Sequence, residues 1–452
     1  MSEDPHSHLR AALRHPTEPR ILLIPEDDGW NLPNFIHPDL LWSANVPVVN
    51  AGFTKLLGTP VWTLRQLYFL ENEAEKWVEA IYEMELLEKD WSPSDGARWV
   101  NAREFEDTPL PYEHLKAPIL RYLTALATGT VPDQRPAWAR VGWAEEVRAW
   151  IGAELARHGY TLRGLEQLKQ WGISSVLRAK TDGKDFYFKT TNPLMTLFVN
   201  EACVTQRLSA LFPAYIPAPL SVDLDRDWML LAEFDQLFQR DMPIETKAEA
   251  FRRFAELQIQ TIGQEETLLA AGCLDRRIDV MLAQLDPLLA DPVATHKLTS
   301  AQVAELRTLT PTIKDLLVRL SDASIPPTLV HGDLHLGNAA IVNGQTIYFD
   351  WTDACIAHPF IDLHFLMWVK DETTREAILT AYLEPWTTFA PLPRLREIFR
   401  LAYALLPLHH AVSYIHIVNN LEPDSKPELD MTHEFLEQLR VRVKEYLLKV
   451  EG

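Results

Sequence analysis

Apolar and polar positions alternate in short runs over the first part of the chain. Between residues 20 and 126 these runs are separated by turn residues, which predicts a sheet-containing region that closes with a helix. The predicted strands are Arg20–Ile24, Val61–Phe69 and Val78–Leu87, and the predicted helix is Tyr112–Leu126. Residues 127–140 are rich in Gly, Thr and Pro, which predicts a linker.

The pattern after residue 140 predicts a second group of strands framed by helices. Apolar residues at helical spacing predict a helix over Trp143–His158, and Gly159 ends it. Strand patterns follow at Thr161–Trp171, Val176–Lys180, Asp185–Lys189 and Trp228–Glu233, with a turn at residues 182–184 and a helix at Asn200–Leu211. This part of the chain is therefore expected to form a small, sheet-rich lobe.

The rest of the chain is dominated by helical periodicity. Lys247–Leu320 and Arg394–Leu447 are predicted to be helical, with breaks at Pro407 and at Leu421–Pro427. The prediction is an α+β protein with a domain at residues 20–126, a linker at 127–140, a small lobe at 141–235 and a large helical lobe at 236–452.

Composition excludes several classes of protein. The 452 residues include 43 Lys and Arg against 63 Asp and Glu, giving a net charge of −20, which argues against a nucleic-acid partner. The three cysteines are far apart, so buried thiols in a reducing cytosol are expected. Neither a signal-peptide core nor an uninterrupted apolar run of about 18 residues occurs, so we expect a cytoplasmic protein without a membrane span.

The segment from Leu329 to Leu363 carries the clearest chemistry. Asp333 lies five residues before Asn338, and Asp350 follows twelve residues later, at the end of the predicted strand Thr346–Phe349. Phosphoryl transfer needs a carboxylate to receive the proton of an acceptor hydroxyl, and an amide oxygen and a second carboxylate to hold magnesium. We therefore expect Asp333, Asn338 and Asp350 to meet at one end of a hairpin, as in a kinase.

A kinase also needs a cation on the nucleotide phosphates. Lys189 closes a predicted strand, and Glu201 on the next helix is a candidate to pair with it. The turn from Trp171 to Val176 contributes small residues and backbone N–H groups, which phosphates can approach. Taken singly, such a lysine is more often a solvated charge and such a glutamate a helix-surface residue. Their order along the chain favours the functional interpretation.

The motifs HGDLHLGN, FDW and HPFIDL resemble those of the aminoglycoside phosphotransferase and choline kinase family, over about residues 140 to 452. The resemblance implies a bilobal, protein-kinase-like fold, with ATP and Mg²⁺ as cofactors. It implies that Asp333 is the catalytic base, that Asn338 and Asp350 bind magnesium, and that Asp362 braces the catalytic loop. This chain departs from the family at Ala357, where the family often has Gly.

The same resemblance assigns the nucleotide-binding residues. It implies that Lys189 contacts the α- and β-phosphates and that Glu201 orients it. The phosphate loop would be the Gly-poor turn that contains Gly172, Ser174 and Ser175, and the adenine hinge would be the segment that contains Glu233 and Phe234.

Residues 20 to 126 resemble a Nudix domain in layout. The positions of the Nudix box that hold Arg and three Glu read Ala51, Gly52, Lys55 and Leu56 here, so no carboxylate remains to hold a cation and hydrolysis is not expected. This Nudix-like α/β domain is either a retained binding surface for a ligand or partner, or a structural appendage of the kinase.

The expected function is transfer of the γ-phosphate of ATP to a hydroxyl of a small molecule, such as a hydroxylated metabolite or an aminoglycoside-like acceptor. The alternative is a non-catalytic, nucleotide-sensing pseudokinase. Protein kinase activity is disfavoured because no long activation segment separates Asp350 from Pro359. A metal role for His331 and His335 is disfavoured because their spacing lies on a loop. The candidate acceptor contacts are Asp353, Tyr403, His409, His410, Tyr414 and His416, and the acceptor itself, the oligomeric state and the choice between ATP and GTP are open.

Overall fold

A computed structural model describes residues 5–26, 29–42, 44–72, 74–94 and 96–451. The chain divides into two compact units. Unit 1 contains residues 1–192 together with 420–428, and unit 2 contains residues 193–419 and 429–452.

Unit 1 combines three groups of strands with four helices. Its strands are β1 (His6–Leu13), β2 (Ile21–Glu26), β3 (Gly29–Asn31), β4 (Asn34–His37), β5 (Val61–Asn72), β6 (Trp77–Leu86), β7 (Arg98–Val100), β8 (Leu162–Gln170), β9 (Ser174–Thr181) and β10 (Phe186–Thr191). Its helices are α1 (Val46–Leu57), α2 (Ala102–Glu106), α3 (Lys116–Thr128) and α4 (Trp143–Arg157).

The first sheet of unit 1 has the order β4-β1-β6-β5, in which β1 and β6 are parallel and the other pairs antiparallel. A second sheet has the order β3-β2-β7. Strands β8, β9 and β10 form an antiparallel meander. Apolar side chains from both faces of the first sheet form two separate clusters, one including Phe53 and one including Phe105, so this sheet is buried on both sides.

Unit 2 is mostly helical. Its helices are α5 (Glu201–Leu211), α6 (Ile244–Gln260), α7 (Glu265–Ala271), α8 (Ile278–Ala290), α9 (Pro292–Thr295), α10 (Ser300–Ser321), α11 (Glu372–Leu383), α12 (Leu392–Asn420), α13 (Lys426–Leu429, a short turn across the unit boundary) and α14 (Thr432–Glu451). Its strands are β11 (Ser221–Asp223), β12 (Trp228–Ala232), β13 (Gln236–Leu237), β14 (Leu274–Asp275), β15 (Thr328–Val330), β16 (Ala339–Val342), β17 (Gln345–Tyr348) and β18 (Cys355–Ala357).

One apolar cluster runs through unit 2 and includes Phe254, Trp351, Phe360 and Trp386. Helix α12 contributes much of it. Among the described residues, α12 is the one helix long and apolar enough to cross a membrane, but 83% of its most apolar window is buried. This burial is typical of a core helix in a globular protein.

The hairpin of β16 and β17 positions the candidate active site. Asn343 and Gly344 connect the strands, and both have positive φ (51° and 73°), as a tight two-residue hairpin turn of this kind requires. The register pairs Ala339 with Tyr348. Asn338 and Phe349 therefore flank the open end of the hairpin, as the sequence predicts.

Most of the predicted elements are confirmed within a few residues, but two details are wrong, and one strand lies outside the prediction. Helix α12 continues through Pro407 without the predicted break. Lys189 does not end its strand, because β10 continues to Thr191. Strand β1 lies before residue 20, yet it belongs to the first sheet. The α+β class is confirmed. The predicted domain boundaries stay a prediction, because the two compact units are defined by internal contacts and do not test where a domain begins or ends.

Candidate active site

Asp333 and Asn338 lie together on the loop between β15 and β16. The Asn338 side-chain amide donates to the backbone oxygen of Asp333 at 2.9 Å and lies 3.4 Å from its Oδ2. The backbone oxygen of Asn338 accepts from the Phe349 N–H at 3.1 Å. Asn338 thus connects the Asp333 loop to the residue that precedes Asp350.

Asp350 follows β17 with a left-handed backbone, φ +68°. Its Oδ1 accepts a hydrogen bond of 3.0 Å from the Thr352 hydroxyl. A non-glycine residue at positive φ is uncommon and is found where the surrounding structure holds it in place. The conformation turns the chain directly after the hairpin, next to Asn338.

His331 is a buried residue of the loop that carries Asp333, and it contacts the segment that carries Asp350. Its Nε2 donates to the Phe349 carbonyl at 2.9 Å, and its ring packs on Trp351 with a centroid distance of 4.6 Å. Burial lowers the pKa of His331 to about 4, although the Phe349 hydrogen bond and the charges of Asp333 and Asp350 act in the opposite direction. The imidazole is therefore neutral, and its predicted packing role is confirmed.

Asp362 holds the backbone of the catalytic loop. Its Oδ2 accepts from the His331 N–H and its Oδ1 from the Gly332 N–H, both at 2.9 Å, and the Gln258 amide donates to Oδ2 at 2.9 Å. Burial raises the pKa of Asp362 to about 7 despite the two backbone hydrogen bonds. The predicted bracing contact is confirmed.

Gly332 is required by the path of this loop. Its φ is +83°, and a Cβ there would lie 2.6 Å from the Cβ and 2.7 Å from the carbonyl oxygen of Asp353. Both facts exclude a side chain, because the backbone of Asp353 cannot move away cheaply. This close approach to Asp353 fixes the position of the backbone that leads into Asp333.

Two imidazoles face the Asp333 carboxylate. His364 Nε2 lies 3.5 Å from Oδ1 and His335 Nε2 lies 3.6 Å from Oδ2, while the Asp333 side chain remains 50% exposed. Desolvation raises the pKa of Asp333, but hydrogen bonding and charge from His335 and His364 outweigh it and hold the pKa well below its usual range. Asp333 is therefore ionised. Sequence reasoning missed His364, although it lies only two residues after the bracing Asp362.

Glu201 is a buried residue, so its interpretation as a helix-surface residue is wrong. It is 2% exposed and begins α5. Its Oε1 accepts from the Trp351 N–H at 3.1 Å and its Oε2 from the Thr352 hydroxyl at 2.9 Å. Because the Thr352 hydroxyl also lies 3.0 Å from Asp350 Oδ1, where its single proton can be shared between the two carboxylates, Glu201 is linked to the Asp350 segment within unit 2.

The predicted phosphate-loop residues lie in unit 1, where β9 begins. Ser174 Oγ accepts from the Trp171 indole at 2.7 Å, and Ser175 Oγ donates to Gln170 at 2.8 Å. A Cβ on Gly172 would lie 2.4 Å from Leu421 Cδ2, so this position has no room for a side chain. The Ser175 hydroxyl is engaged as a donor within the unit, whereas the Ser174 hydroxyl accepts in its bond and so keeps its own proton to donate. Lys189 lies on β10, paired in register with Val176.

The predicted hinge residues follow β12. Phe234 packs on Phe349 with a ring-centroid distance of 4.9 Å, and Glu233 precedes it as an exposed residue. The neighbouring Asp235 accepts from the Asn343 N–H at 2.7 Å. Within unit 2 the hinge segment is thus held against the hairpin that carries the Asp350 end of the site.

The candidate acceptor residues divide into two groups. His410 packs against His364, with ring centroids 4.4 Å apart. Burial lowers the pKa of His410 and raises that of Tyr414, and the charge of Asp333 raises both. Three others are engaged elsewhere: His409 with Arg276, His416 with Thr196 and Tyr403 with Arg442. Asp353 approaches Gly332. His410, Tyr414 and Asp353 are thus the candidates that lie near the Asp333 loop.

The metal prediction fits the chemistry of the donors. Within the described ranges no group of three or more His, Cys, Asp or Glu side chains is arranged to hold a metal ion. Magnesium, however, is commonly held by one or two protein oxygen ligands, with substrate phosphates and water completing its shell. Asn338 and Asp350 supply one amide oxygen and one carboxylate, which is a suitable set for magnesium bound together with a nucleotide.

Comparison with solved structures gives weak overall similarity. Macrolide 2'-phosphotransferase MphH from Brachybacterium faecium is 19% identical over 63% of this chain and 97% of its own, with a TM-score of 0.45. Choline kinase LicA from Streptococcus pneumoniae is 13% identical over 65% and 99%, with a TM-score of 0.46. Aminoglycoside 2'-phosphotransferase-IIIa is 14% identical over 65% and 98%, with a TM-score of 0.47. No curated protein matches the chain.

The family comparison is decisive. The model of the family described as "Phosphotransferase enzyme family" matches residues 171–398, which is half of the chain. The match includes the Asp333 loop, the Asp350 hairpin and the Asp362 brace, and it agrees with the resemblance drawn from their motifs. The chain belongs to the phosphotransferase enzyme family.

Proposed function

We propose that this protein transfers the γ-phosphate of ATP to a hydroxyl group of a small molecule. The observation that carries the proposal is the joint placement of Asp333, Asn338 and the Asp350 segment around one hairpin end, with Asp362 fixing the loop backbone. Family membership supports phosphoryl transfer as the reaction class.

Asp333 acts mainly by orientation. A carboxylate whose pKa lies well below its usual range is a weak base, so it contributes little to proton removal before the transition state. It accepts a hydrogen bond from the acceptor hydroxyl and takes its proton as the bond to phosphorus forms. Positioning and electrostatic stabilisation then supply most of the rate, as expected for this chemistry.

Asn338 and Asp350 would hold magnesium. When bound, the ion neutralises charge on the β- and γ-phosphates. The chain contributes the geometry: the Asn338 side chain is fixed through its amide to Asp333, which directs the remaining amide oxygen away from that bond. The Thr352 hydroxyl contacts both Asp350 and Glu201, and these contacts hold the Asp350 segment in place. In the same proposal Lys189, oriented by Glu201, contacts the phosphates.

A small acceptor fits better than a polypeptide. Only eight residues separate Asp350 from Pro359, and all of them except Asp353 are buried. A segment of this kind offers no surface on which a peptide can dock beside Asp333. We place the small acceptor next to the open side of Asp333, with His410 and Tyr414 as candidate contacts.

The first experiment screens hydroxylated metabolites for ADP release from Mg·ATP, with Asp333→Asn and Asp350→Ala as the paired variants. Asp333→Asn should lower kcat by about 10²–10⁴-fold because it removes the proton acceptor, while calorimetric binding of Mg·ATP is retained. Asp350→Ala should abolish the magnesium-dependent part of nucleotide binding. Nucleotide binding by the native protein without turnover on any acceptor would favour the nucleotide-sensing alternative.

We also propose that the Nudix-like N-terminal region does not hydrolyse diphosphates. Helix α1 carries Ala51, Gly52, Lys55 and Leu56 at the positions of the Nudix box. A Cβ at Gly52 would lie 2.2 Å from the Phe35 ring, so this position serves close packing between α1 and β4. Incubation with nucleoside diphosphate derivatives should release no phosphate or nucleoside monophosphate.

A further inference from the structure

We propose that His364 is a positioning residue for Asp333, holding one oxygen of its carboxylate so that the exposed part of the side chain faces the acceptor hydroxyl. This inference rests on the proposed function and adds a residue to it. The distance of 3.5 Å between His364 Nε2 and Asp333 Oδ1 is its first support. Active-site hydrogen bonds are often this long before substrate binds and shorten in the reacting complex.

The ring of His364 is held in place by its surroundings. Its side chain is 3% exposed, and it packs on His410 with a centroid distance of 4.4 Å and on Trp368 at 5.7 Å. A buried ring between two other rings has little rotational freedom, so its Nε2 is pre-oriented at no further entropic cost.

The direction of the hydrogen bond follows from the acceptor. An ionised carboxylate has no proton to donate, so His364 Nε2 must carry the N–H. Its Nδ1 is buried and has no hydrogen-bond partner among the described residues. The contact at Nε2 is thus the only polar contact that the structure shows for this ring.

His335 completes the arrangement on the other oxygen. Its Nδ1 accepts from the Gly337 N–H at 3.0 Å, which places the proton of the neutral ring on Nε2, 3.6 Å from Asp333 Oδ2. The two oxygens of Asp333 therefore each face an imidazole N–H, one buried and one partly exposed. These two N–H groups fix the plane of the carboxylate. The exposed part of the Asp333 side chain is then the part left for an acceptor.

The test compares His364→Phe, which keeps a ring and removes the donor, with His364→Gln, which keeps an N–H donor near the position of Nε2. The measurement is steady-state ADP release from Mg·ATP with water as the acceptor, together with calorimetric binding of Mg·ADP. His364→Phe should lower kcat by about 10–100-fold, because a misplaced catalytic group costs rate without affecting nucleotide affinity. His364→Gln should recover most of that loss, and the KM for ATP should stay within about two-fold in both.

His433→Phe, a similar exchange on α14, is the matched control and should leave kcat unchanged. Equal losses of kcat in the Phe and Gln variants, or a parallel fall in Tm and Mg·ADP affinity, would show a purely structural role and overturn the inference. Full activity of His364→Phe would overturn it as well. If the native protein binds Mg·ADP but releases no ADP from Mg·ATP with water or with any screened acceptor, the proposed function fails instead, so the two failures are distinguishable.

Discussion

At the scale of single residues, the site depends on how buried polar groups are satisfied. Asp333 is ionised because two imidazoles that face it outweigh its desolvation, while Asp362 is buried and has a raised pKa although backbone N–H groups point at it. The pKa values of the two carboxylates therefore shift in opposite directions, because their surroundings differ. A similar contrast in environment separates the roles of paired carboxylates in many enzymes.

Asp362→Asn tests the brace. Its two oxygens accept from the His331 and Gly332 N–H groups, so an amide NH₂ must face one of these donors and leave it unpaired, which should destabilise the fold by about 1–3 kcal/mol. The native carboxyl has a pKa near 7 in the folded state against an ordinary value of 3.8, so the folded state binds the extra proton between these pH values. The stabilisation that the folded state gains from binding this proton is present in full below about pH 4 and is lost as the pH rises through 7.

The loss of unfolding free energy in Asp362→Asn, relative to the native protein, should therefore be larger at pH 5 than at pH 8. Urea unfolding at both pH values measures it. Asp371→Asn, at an exposed helix cap, provides a control, because hydrogen bonds to Thr374 lower the pKa of Asp371 below its ordinary value of 3.8. Asp371 is therefore ionised in the folded and unfolded states at both pH values, and the loss in this variant should be the same at pH 5 and pH 8. A larger loss at pH 8 than at pH 5 for Asp362→Asn would contradict the raised pKa.

At the scale of elements, local pattern predicted the hairpin and the strands from residue 161 to 191, but it failed where distant packing decides the outcome. Strand β1 has the sequence HSHLRAAL, which lacks the β-branched residues that identify a strand, yet it pairs with β4 and β6 and is buried through its last five residues. Pro407 removes one backbone donor from α12, but the helix continues because almost every neighbouring side chain is buried. Glu201 and His364 meet partners that no spacing along the chain reveals.

Within unit 1 one buried arginine joins elements that are remote in sequence. Arg65 on β5 donates to Glu83 at 2.8 Å and to Asp424 at 3.1 Å, and lies 3.7 Å from Glu422. Burial alone would lower the pKa of Arg65, but the three carboxylates raise it, so the guanidinium is charged. Segment 420–428 is thereby attached to β5, and its Leu421 covers Gly172 in the predicted phosphate loop.

Arg65→Met should therefore be strongly destabilising. It leaves Glu83 and Glu422 buried with less counter-charge, and removing one partner of a buried ion pair costs about 3–5 kcal/mol. Denaturant unfolding of Arg65→Met measures this loss, with Lys89→Met as the control. Lys89 and Glu145 form an exposed ion pair on the same unit, so its loss should leave the free energy of unfolding nearly unchanged. If the two substitutions lower the free energy of unfolding equally, the Arg65 cluster contributes no more to stability than an exposed ion pair.

At the scale of the whole molecule, the family match starts at residue 171, whereas the compact unit that contains this start includes the first 170 residues as well. Gln167 on β8 shows why. Its side-chain amide accepts from Asn50 at 2.8 Å and from the Thr63 N–H at 3.0 Å, and donates to the Thr63 carbonyl at 2.8 Å. Strand β8, which pairs with β9 at the start of the family region, therefore depends on the preceding domain for its polar partners.

A fragment of residues 141–452 should consequently fail to fold by itself. Without residues 1–140, Gln167 and Gln170 lose partners at Asn50, Thr63 and Leu64, and β8 loses its contact with α1. We expect aggregation or a non-cooperative thermal transition when the fragment is expressed alone. Co-expression with residues 1–140 should restore a soluble complex with a cooperative transition, because the missing partners are then supplied in trans. A fragment that is monomeric alone, with a Tm within a few degrees of the full chain, would show that the phosphotransferase region is independent of the N-terminal domain.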